Sequence, residues 1–349
     1  MIKEICYRIL KSLGLFQIAL LITKSRLRIL CYHGFALGDE ASFRPRLFIR
    51  SETFRRRMEY LARNGFTVLP LDKALAQLDQ GTLPAKAVVL TIDDGLAGVF
   101  ERALPILKTF GYPAMTYVTS YHVTKGTPVF RLIVQYMFWK TQATRLNTEG
   151  LGLPLERDVE IGNEGEKEEL VSAITDFGET QLDENERVAL AKKLGERLGT
   201  DYEDIARSRI LSLMAPQEIK EATTMNMDIQ LHTHRHRFPV NRDIVLRELK
   251  DNREVLEPLV GKPLQHFCYP SGFWSAEQWP WLQEAGVRTA TTCIAGLNDR
   301  DTPRHGLRRF LDGEYVRDIE FEAELCGVTE LLRRGRSAVY RLLGRAQNS

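Results

Sequence analysis

The chain has 349 residues, of which 44% are hydrophobic and 27% charged, as in a globular protein with ample apolar material for a core. Its formal net charge of +2 excludes a globally basic nucleic-acid binder. The five cysteines are scattered without CxxC pairing, which disfavours a disulfide scaffold or a zinc–thiolate cluster and favours a reducing compartment. The length allows one large α/β domain or two average ones.

Both ends of the chain are basic. Residues 1–30 carry six lysines and arginines against one acid, and residues 327–349 carry five against one. The apolar run at 13–22 is too short to span a bilayer and lacks a small-residue cleavage site, so residues 1–26 are predicted to form an uncleaved amphipathic helix. Residues 313–349 are predicted to form a basic amphipathic helical tail. Both ends could lie on a membrane surface, or could instead pack on the domain or a partner subunit.

Strand-like and helix-like segments alternate along most of the chain. Strands are predicted at 27–32, 66–69, 88–92, 114–118, 227–231, 264–269 and 287–292. Helices are predicted at 51–64, 71–79, 97–110, 240–259 and 278–285. This alternation at short spacing indicates parallel strands with helical crossovers. Residues 128–215 break the pattern and predict a mainly helical insertion into the α/β domain.

Two adjacent carboxylates, Asp93 and Asp94, end the predicted strand at 88–92 and are followed by Gly95. The carboxyl ends of strands in a buried parallel sheet are where ligands bind. Adjacent acids repel each other and resist desolvation, so a divalent metal is the simplest compensating charge. Asp-Gly is also common turn chemistry, so a plain turn remains the alternative.

Histidines follow two other predicted strands. His33 comes directly after 27–32, and His232, His234 and His236 come directly after 227–231. Imidazole is the commonest neutral nitrogen ligand of zinc and related ions. One carboxylate with two histidines leaves coordination positions open for water and substrate. Together these strand ends predict a metal centre.

The order TIDDG, HTxxH and a YPxG turn after a strand resembles the polysaccharide deacetylase family, carbohydrate esterase family 4. The resemblance covers residues 27–130 and 212–312, and it implies a distorted (β/α) barrel of the α/β class. The domain prediction is therefore an N-terminal helix at 1–26, a barrel domain at 27–312 and the helical tail at 313–349.

The resemblance also implies the roles of the strand-end residues. Asp94, His232 and His236 would hold one divalent metal ion, with zinc the first expectation and cobalt, nickel or manganese the alternatives. Asp93 would be the general base that takes a proton from the attacking water. A His-x-His pair of His232 and His234, as in amidohydrolase-type sites, is the alternative ligand set.

The general acid is assigned by a second feature of the family. The early LCYH segment resembles the Tyr-His of a circularly permuted branch that includes deacetylases acting on poly-N-acetylglucosamine, and no Leu-x-His motif follows Gly272. His33 is therefore the predicted general acid. The alternative is a buried structural histidine bonded to the carboxylates of the site.

The third motif departs from the family pattern. Where the family commonly has Arg-x-Pro-Tyr-Gly, residues 268–272 read CYPSG. The backbone N–H of Ser271 could still serve as an oxyanion contact, with Tyr269 beside it as a substrate contact. The missing guanidinium is predicted to come from Arg309 in the LRRF segment, which resembles a Leu-x-Arg segment of the permuted branch. A surface arginine is the alternative.

The sequence therefore predicts a metal-dependent hydrolase that removes the N-acetyl group from an amino sugar of a polysaccharide or a lipid-linked saccharide. The expected partners are an N-acetylated saccharide or glycolipid and a membrane surface, with no nucleic acid. The expected location is the cytoplasm, peripheral on the inner face of the cell membrane. A deformylase acting on a lipid-linked amino sugar and a catalytically silent carbohydrate-binding barrel are the rival hypotheses.

Overall fold

The computed structural model describes residues 2–342. Its strands are β1 Arg28–Tyr32, β2 Gly34–Phe35, β3 Phe48–Ile49, β4 Thr67–Val68, β5 Ala87–Ile92, β6 Ala114–Val118, β7 Arg145–Asn147, β8 Asp158–Glu160, β9 Met227–Leu231, β10 His266–Cys268, β11 Thr289–Thr291 and β12 Phe310–Leu311. A π-helical turn at Val99–Ala103 precedes one of the helices.

The helices are α1 Ile2–Ser12, α2 Leu15–Ile22, α3 Glu40–Phe43, α4 Ser51–Arg63, α5 Leu71–Gln80, α6 Leu104–Phe110, α7 Tyr121–Lys125, α8 Phe130–Lys140, α9 Glu164–Gln181, α10 Glu184–Leu198, α11 Tyr202–Ser208, α12 Pro216–Thr223, α13 Arg242–Val260, α14 Trp279–Glu284, α15 Asp318–Cys326 and α16 Val328–Leu342. Helices thus separate most consecutive strands of the main sheet, as a parallel arrangement requires.

The main sheet is parallel throughout, in the order β11-β10-β9-β6-β5-β1-β12, with β4 beside β5. An isolated parallel bridge joins Thr291 of β11 to Leu307, three residues before β12. The segment that leads into β12 therefore contacts both edges of the curled sheet. The predicted distorted (β/α) barrel is confirmed.

The barrel interior explains why its strands are apolar. All six residues of β5 are buried, as expected for a parallel strand covered on both faces. One hydrophobic cluster joins α5 to interior side chains of β1, β5 and β6, among them Ile29, Val89 and Tyr117. It includes Leu27, directly before β1, and Ala87, at the start of β5, so α5 closes the amino-terminal end of the barrel. The polar residues that follow the strands lie at the opposite, carboxyl-terminal end of the barrel.

The insertion is mainly helical, as predicted, and comprises α8 to α11. The sequence prediction missed the antiparallel hairpin formed by β7 and β8, whose strands are only three residues long. Buried side chains of the insertion, including Phe130, Ile174 and Leu194, belong to the same hydrophobic cluster as those of the barrel. The insertion therefore packs on the barrel through a continuous core.

The predicted single N-terminal helix is instead two helices. Gly14 takes a left-handed conformation (φ 74°) between α1 and α2, and the axes bend by 83° there. No single helix within residues 2–342 is long and apolar enough to cross a membrane, although α1 and α2 together have the required length and composition. The predicted tail likewise contains two helices, α15 and α16, and its residues 343–349 lie outside the described chain.

Candidate metal centre

The two carboxylates that end β5 have different surroundings. Asp93 is buried, with a side chain 3% exposed, while the side chain of Asp94 is 20% exposed. Asp94 and Gly95 both take left-handed backbone conformations, with φ of 69° and 82°. This tight turn gives different surroundings to two adjacent residues that look equivalent in the sequence.

Asp93 is held by a bidentate ion pair with Arg309. Arg309 Nη1 lies 2.7 Å from Asp93 Oδ1, and Nη2 lies 2.8 Å from Oδ2. The guanidinium is fully buried and also donates from Nε to the Thr292 carbonyl and from Nη1 to the Thr91 hydroxyl. Burial raises the pKa of Asp93, but the charge and hydrogen bonds of Arg309, with smaller contributions from nearby histidines, together outweigh burial and hold that pKa below its ordinary value. Asp93 is therefore ionised and fixed in orientation.

Two cysteine thiols complete the surroundings of Asp93. The sulfurs of Cys31 and Cys268 lie 3.5 and 3.3 Å from Asp93 Oδ2. Burial raises the pKa of both thiols well above the ordinary value, so they are neutral donors to the carboxylate. Arg309 Nη2 lies 3.1 Å from Cys268 Sγ. The Arg309 guanidinium therefore contacts Asp93 next to Cys268, the position at which the family commonly has an arginine.

Asp94 faces His232 and His236. Its Oδ1 lies 3.2 Å from His232 Nε2 and 3.4 Å from His236 Nε2, and the two rings are 4.9 Å apart. The three ligand atoms lie within 4.8 Å of one another. Two imidazoles and one carboxylate form an open donor set that suits zinc and related divalent ions.

The hydrogen bonding of the donor set also fits a cation. His232 Nδ1 donates a hydrogen bond to the Cys268 carbonyl at 2.8 Å, which leaves Nε2 as the atom facing Asp94. Burial lowers the pKa of His232, yet the hydrogen bond with Asp94 and the charges of Asp93 and Asp94 together outweigh burial and raise that pKa. Burial likewise raises the pKa of Asp94, and the two histidines outweigh it to bring that pKa well below its ordinary value. A positive charge between these atoms is therefore favourable.

His234 points to a different part of the fold. Its Nδ1 lies 2.9 Å from Ser120 Oγ, and its ring packs edge-on against Tyr121. The geometry therefore favours the pair His232 and His236 over the His-x-His alternative.

Substitution of His236 by alanine is expected to reduce bound metal from about one ion per chain to a small fraction, because one of the three donors is lost. His234→Ala, the matched control two residues away, should retain metal. Elemental analysis of both purified variants after dialysis checks this. Loss of metal in His234→Ala with retention in His236→Ala would instead support the His-x-His set.

Sequence reasoning missed Asn252, which lies on α13 and is fully buried. Its Oδ1 accepts from the His232 backbone N–H at 3.0 Å, and its Nδ2 donates to the Val118 carbonyl and the Ser120 hydroxyl. It thus joins the ends of β6 and β9. A single asparagine in a long helix carries no sequence signal for this role.

Asn252→Leu is expected to weaken metal binding about tenfold, since outer partners of metal ligands commonly contribute that much. Leucine has a similar volume but cannot fix the His232 backbone. Competition with a chromogenic chelator measures the affinity. Ser120→Ala, which removes only one of the three bonds, should have the smaller effect, and equal effects would contradict the proposed positioning role.

His33 lies next to Asp93. Its Nε2 is 3.6 Å from Asp93 Oδ2, and its side chain is 18% exposed. It follows β1, which pairs with β5 in register, so the ends of the two strands lie side by side. Its partly open position is compatible with contact to a substrate.

The turn after β10 holds the two predicted substrate contacts in unlike environments. Ser271 is exposed and has a φ of 58°. Tyr269 is buried, and its hydroxyl donates to the His305 carbonyl at 2.8 Å. Its ring stacks on Trp274, which stacks on Trp279, so these side chains form packing layers. The Tyr269 side chain is therefore packed in the core, and the substrate contact predicted at this position stays a prediction.

Backbone strain is concentrated at this site. Six non-glycine residues within residues 2–342 have positive φ, and four of them belong to the site: Asp94, Thr233, His236 and Ser271. Left-handed conformations of such residues persist where the surrounding structure enforces them, commonly at functional sites.

A sequence comparison agrees with this geometry. The model of the polysaccharide deacetylase family matches residues 80–154 and 184–290, more than half of the chain. The chain belongs to the polysaccharide deacetylase family. The matched residues include the two aspartates, the histidine cluster and the turn at 268–272. His33 and Arg309 lie outside them, and only the fold brings these two residues to the site.

Individual relatives match this member of the family over a short segment or at low sequence identity. The poly-beta-1,6-N-acetyl-D-glucosamine N-deacetylase of Escherichia coli is 34% identical over 79 residues, which are 22% of this chain and 12% of that protein. Among solved structures, the Streptococcus pyogenes deacetylase PplD, in complex with acetate, has a TM-score of 0.55 and 16% identity, covering 86% of this chain and 98% of that one. IcaB from Ammonifex degensii has a TM-score of 0.53 and 18% identity, covering 86% and 96%. These two structures share the fold.

Proposed function

We propose that the protein is a metal-dependent hydrolase that removes the N-acetyl group from an amino sugar. The observation that carries this proposal is the placement of an open donor set, Asp94 with His232 and His236, directly beside an ionised Asp93 held by Arg309. Amide hydrolysis needs an electrophilic centre for the carbonyl oxygen, a base for the attacking water and a proton for the leaving amine. A metal ion on the donor set, with Asp93 and His33, would meet these three needs.

A divalent ion bound by the three donors would supply the Lewis acid and increase the acidity of water. The other roles belong to side chains of this chain. Asp93 accepts the proton when the water oxygen bonds to the amide carbon. Arg309 keeps Asp93 ionised and correctly oriented, since its two N–H groups occupy fixed positions on the carboxylate. The Ser271 backbone N–H is the proposed additional contact for the carbonyl oxygen.

His33 completes the proton balance as the proposed general acid. The C–N bond breaks as the amine nitrogen takes a proton, which leaves acetate and a free amino sugar. The distance of 3.6 Å between His33 Nε2 and Asp93 Oδ2 supports the proposal that these two residues act together as acid and base.

The proposed substrate is an N-acetylated saccharide, either a polysaccharide or a sugar carried on a lipid. The family and the printed name of the Escherichia coli relative support an N-acetylated amino sugar. Zinc is the proposed metal, with cobalt, nickel or manganese as substitutes, because mixed imidazole and carboxylate donors suit these ions.

Acetate release from the zinc- or cobalt-loaded protein tests the proposal. N-acetylglucosamine oligosaccharides should yield acetate, and lipid-linked N-acetyl sugars and their N-formyl analogues decide between substrate classes. Formate release from the analogues alone would identify a deformylase. Absence of either product from a fully metal-loaded protein would overturn the hydrolase proposal and favour a binding barrel.

We also propose that the enzyme works in the cytoplasm. All five cysteines are unpaired, among them the Cys31 and Cys268 thiols that contact Asp93. Free thiols at such a position are best preserved in a reducing compartment. Fractionation of cells expressing the full chain, with periplasmic and cytoplasmic marker enzymes, tests this location, and recovery with the periplasmic marker would contradict it.

A further inference from the structure

Exposed apolar side chains are concentrated at one place on the surface. Among the fourteen large hydrophobic residues exposed on the described chain, seven fall within an eighteen-residue segment of α1, α2 and the turn between them. We call these seven the terminal apolar face: Ile5, Ile9, Leu13, Leu15, Ile18, Leu21 and Ile22. Scattered single apolar residues need no explanation, whereas a contiguous group indicates an interaction surface.

The spacing of these residues follows the helical repeat. In α1, Ile5 and Ile9 are four residues apart, and Leu13 comes another four residues later. In α2, the spacings of three and four residues from Ile18 to Leu21 and Ile22 place these side chains on one side. Leu21 and Ile22 are 68% and 59% exposed. Each helix therefore has an apolar side that the chain itself leaves uncovered.

The opposite sides of both helices are attached to the protein. Tyr7, Phe16 and Ala19 are buried in a cluster with apolar residues of α15 and α16. Lys3 pairs with Glu320 at 2.9 Å, and ion pairs also join Lys11 to Glu322 and Glu4 to Arg317. These contacts, together with the bend of 83°, hold the two helices along the surface rather than as one continuous rod.

The charges around the face favour an anionic partner. Residues 1–30, which include both helices, carry six lysines and arginines against one acid, although the chain as a whole has a net charge of +2. Lys24 is exposed two residues after Ile22, and Arg8, which pairs with Glu4, is exposed next to Ile9 in the chain. A second copy of the chain would bring like charges together, whereas acidic lipid headgroups would pair with them.

We propose that the terminal apolar face docks the protein on an anionic membrane surface, with the apolar side chains of α1 and α2 among the headgroups. The protein lies on the bilayer, because the other side of each helix remains packed on α15 and α16. The inference stands on this surface alone and does not depend on the proposed reaction.

Flotation of the metal-loaded full-length protein with phosphatidylcholine vesicles, with and without phosphatidylglycerol, tests the proposal. The protein should float with the vesicles that contain phosphatidylglycerol and far less with phosphatidylcholine alone. A double variant, Leu21→Ser with Ile22→Ser, should lower the bound fraction at least about tenfold, since each loses most of its apolar burial in lipid. Ile244→Ser, at an exposed isoleucine of α13, is the matched control and should bind like the wild type.

Cys6, which is exposed on α1, offers a second readout. An environment-sensitive dye is attached there, in a Cys293→Ser background that removes the other exposed thiol. The fluorescence emission of the dye should shift to shorter wavelength with the anionic vesicles.

Unchanged dye emission together with no flotation would overturn the proposal. So would a dimer by light scattering that the double variant converts to a monomer, because a second copy would then cover the face. Acetate release from a soluble oligosaccharide should be equal in the double variant and the wild type, so failure of membrane docking is distinguishable from failure of the proposed activity.

Discussion

Asp93→Asn is expected to lower kcat about 10³-fold, within the range that a general base contributes, while bound metal stays near one ion per chain. Asparagine matches aspartate in shape but cannot accept the proton of the attacking water. The proposed metal donors are Asp94, His232 and His236, so metal content should be preserved. Steady-state acetate release and elemental analysis of the same preparation measure the two quantities.

The neighbouring aspartate provides the matched control. Asp94→Asn should lose metal and activity together, since Asp94 is the carboxylate of the donor set. Because asparagine at position 93 leaves Arg309 without its carboxylate partner, thermal unfolding of the Asp93 variant should accompany the assays. A folded, metal-loaded Asp93→Asn protein with wild-type kcat would show that the base lies elsewhere.

Arg309→Met is expected to lower the free energy of unfolding by about 3–5 kcal/mol, because it leaves the buried Asp93 carboxylate without its counter-charge. Arg309 is fully buried, and its loss also removes bonds to Thr91 and Thr292. The variant should also lose activity at a temperature where it remains folded, since Asp93 is no longer held ionised in place. Urea unfolding monitored by circular dichroism gives the stability difference.

Two further variants isolate the cause. Arg308→Met changes the exposed neighbour and should shift stability by less than about 0.5 kcal/mol. Arg309→Lys keeps the charge but cannot make the two parallel bonds to Asp93, so its activity should fall between those of the wild type and Arg309→Met. Equal stability of Arg308→Met and Arg309→Met would contradict a structural ion pair at position 309.

Local patterns were sufficient to predict much of the fold. The β-branched run of β5 and the regular alternation of strands with helices indicate a parallel barrel because burial on both faces needs continuous apolar strands. The same reasoning indicated that polar residues directly after strands meet at one end, which is where Asp93, Asp94 and His232 lie. The short β7–β8 hairpin escaped prediction because three-residue strands carry too little periodic signal.

Tertiary structure alone decided the partners of these residues. Arg309 reaches Asp93 from 216 residues away because the segment before β12 bridges to β11 while β12 pairs with β1. Asn252 supports His232 from the helix that follows β9, a contact that depends on how α13 packs. The Tyr269 side chain lies in the core, where its ring stacks on Trp274 and its hydroxyl donates to the His305 carbonyl.

The pair of carboxylates and the histidine cluster were thus determined by the sequence, because strand ends and donor chemistry are local properties. The family resemblance already predicted His236 as a ligand and Arg309 as the guanidinium near Asp93. The contacts of His236 with Asp94, of His234 with Ser120 and of Arg309 with Asp93, and the packed side of the terminal helices, are seen only in the tertiary structure. Each of these depends on the direction of a side chain relative to distant elements, and that direction follows from packing rather than from residue order.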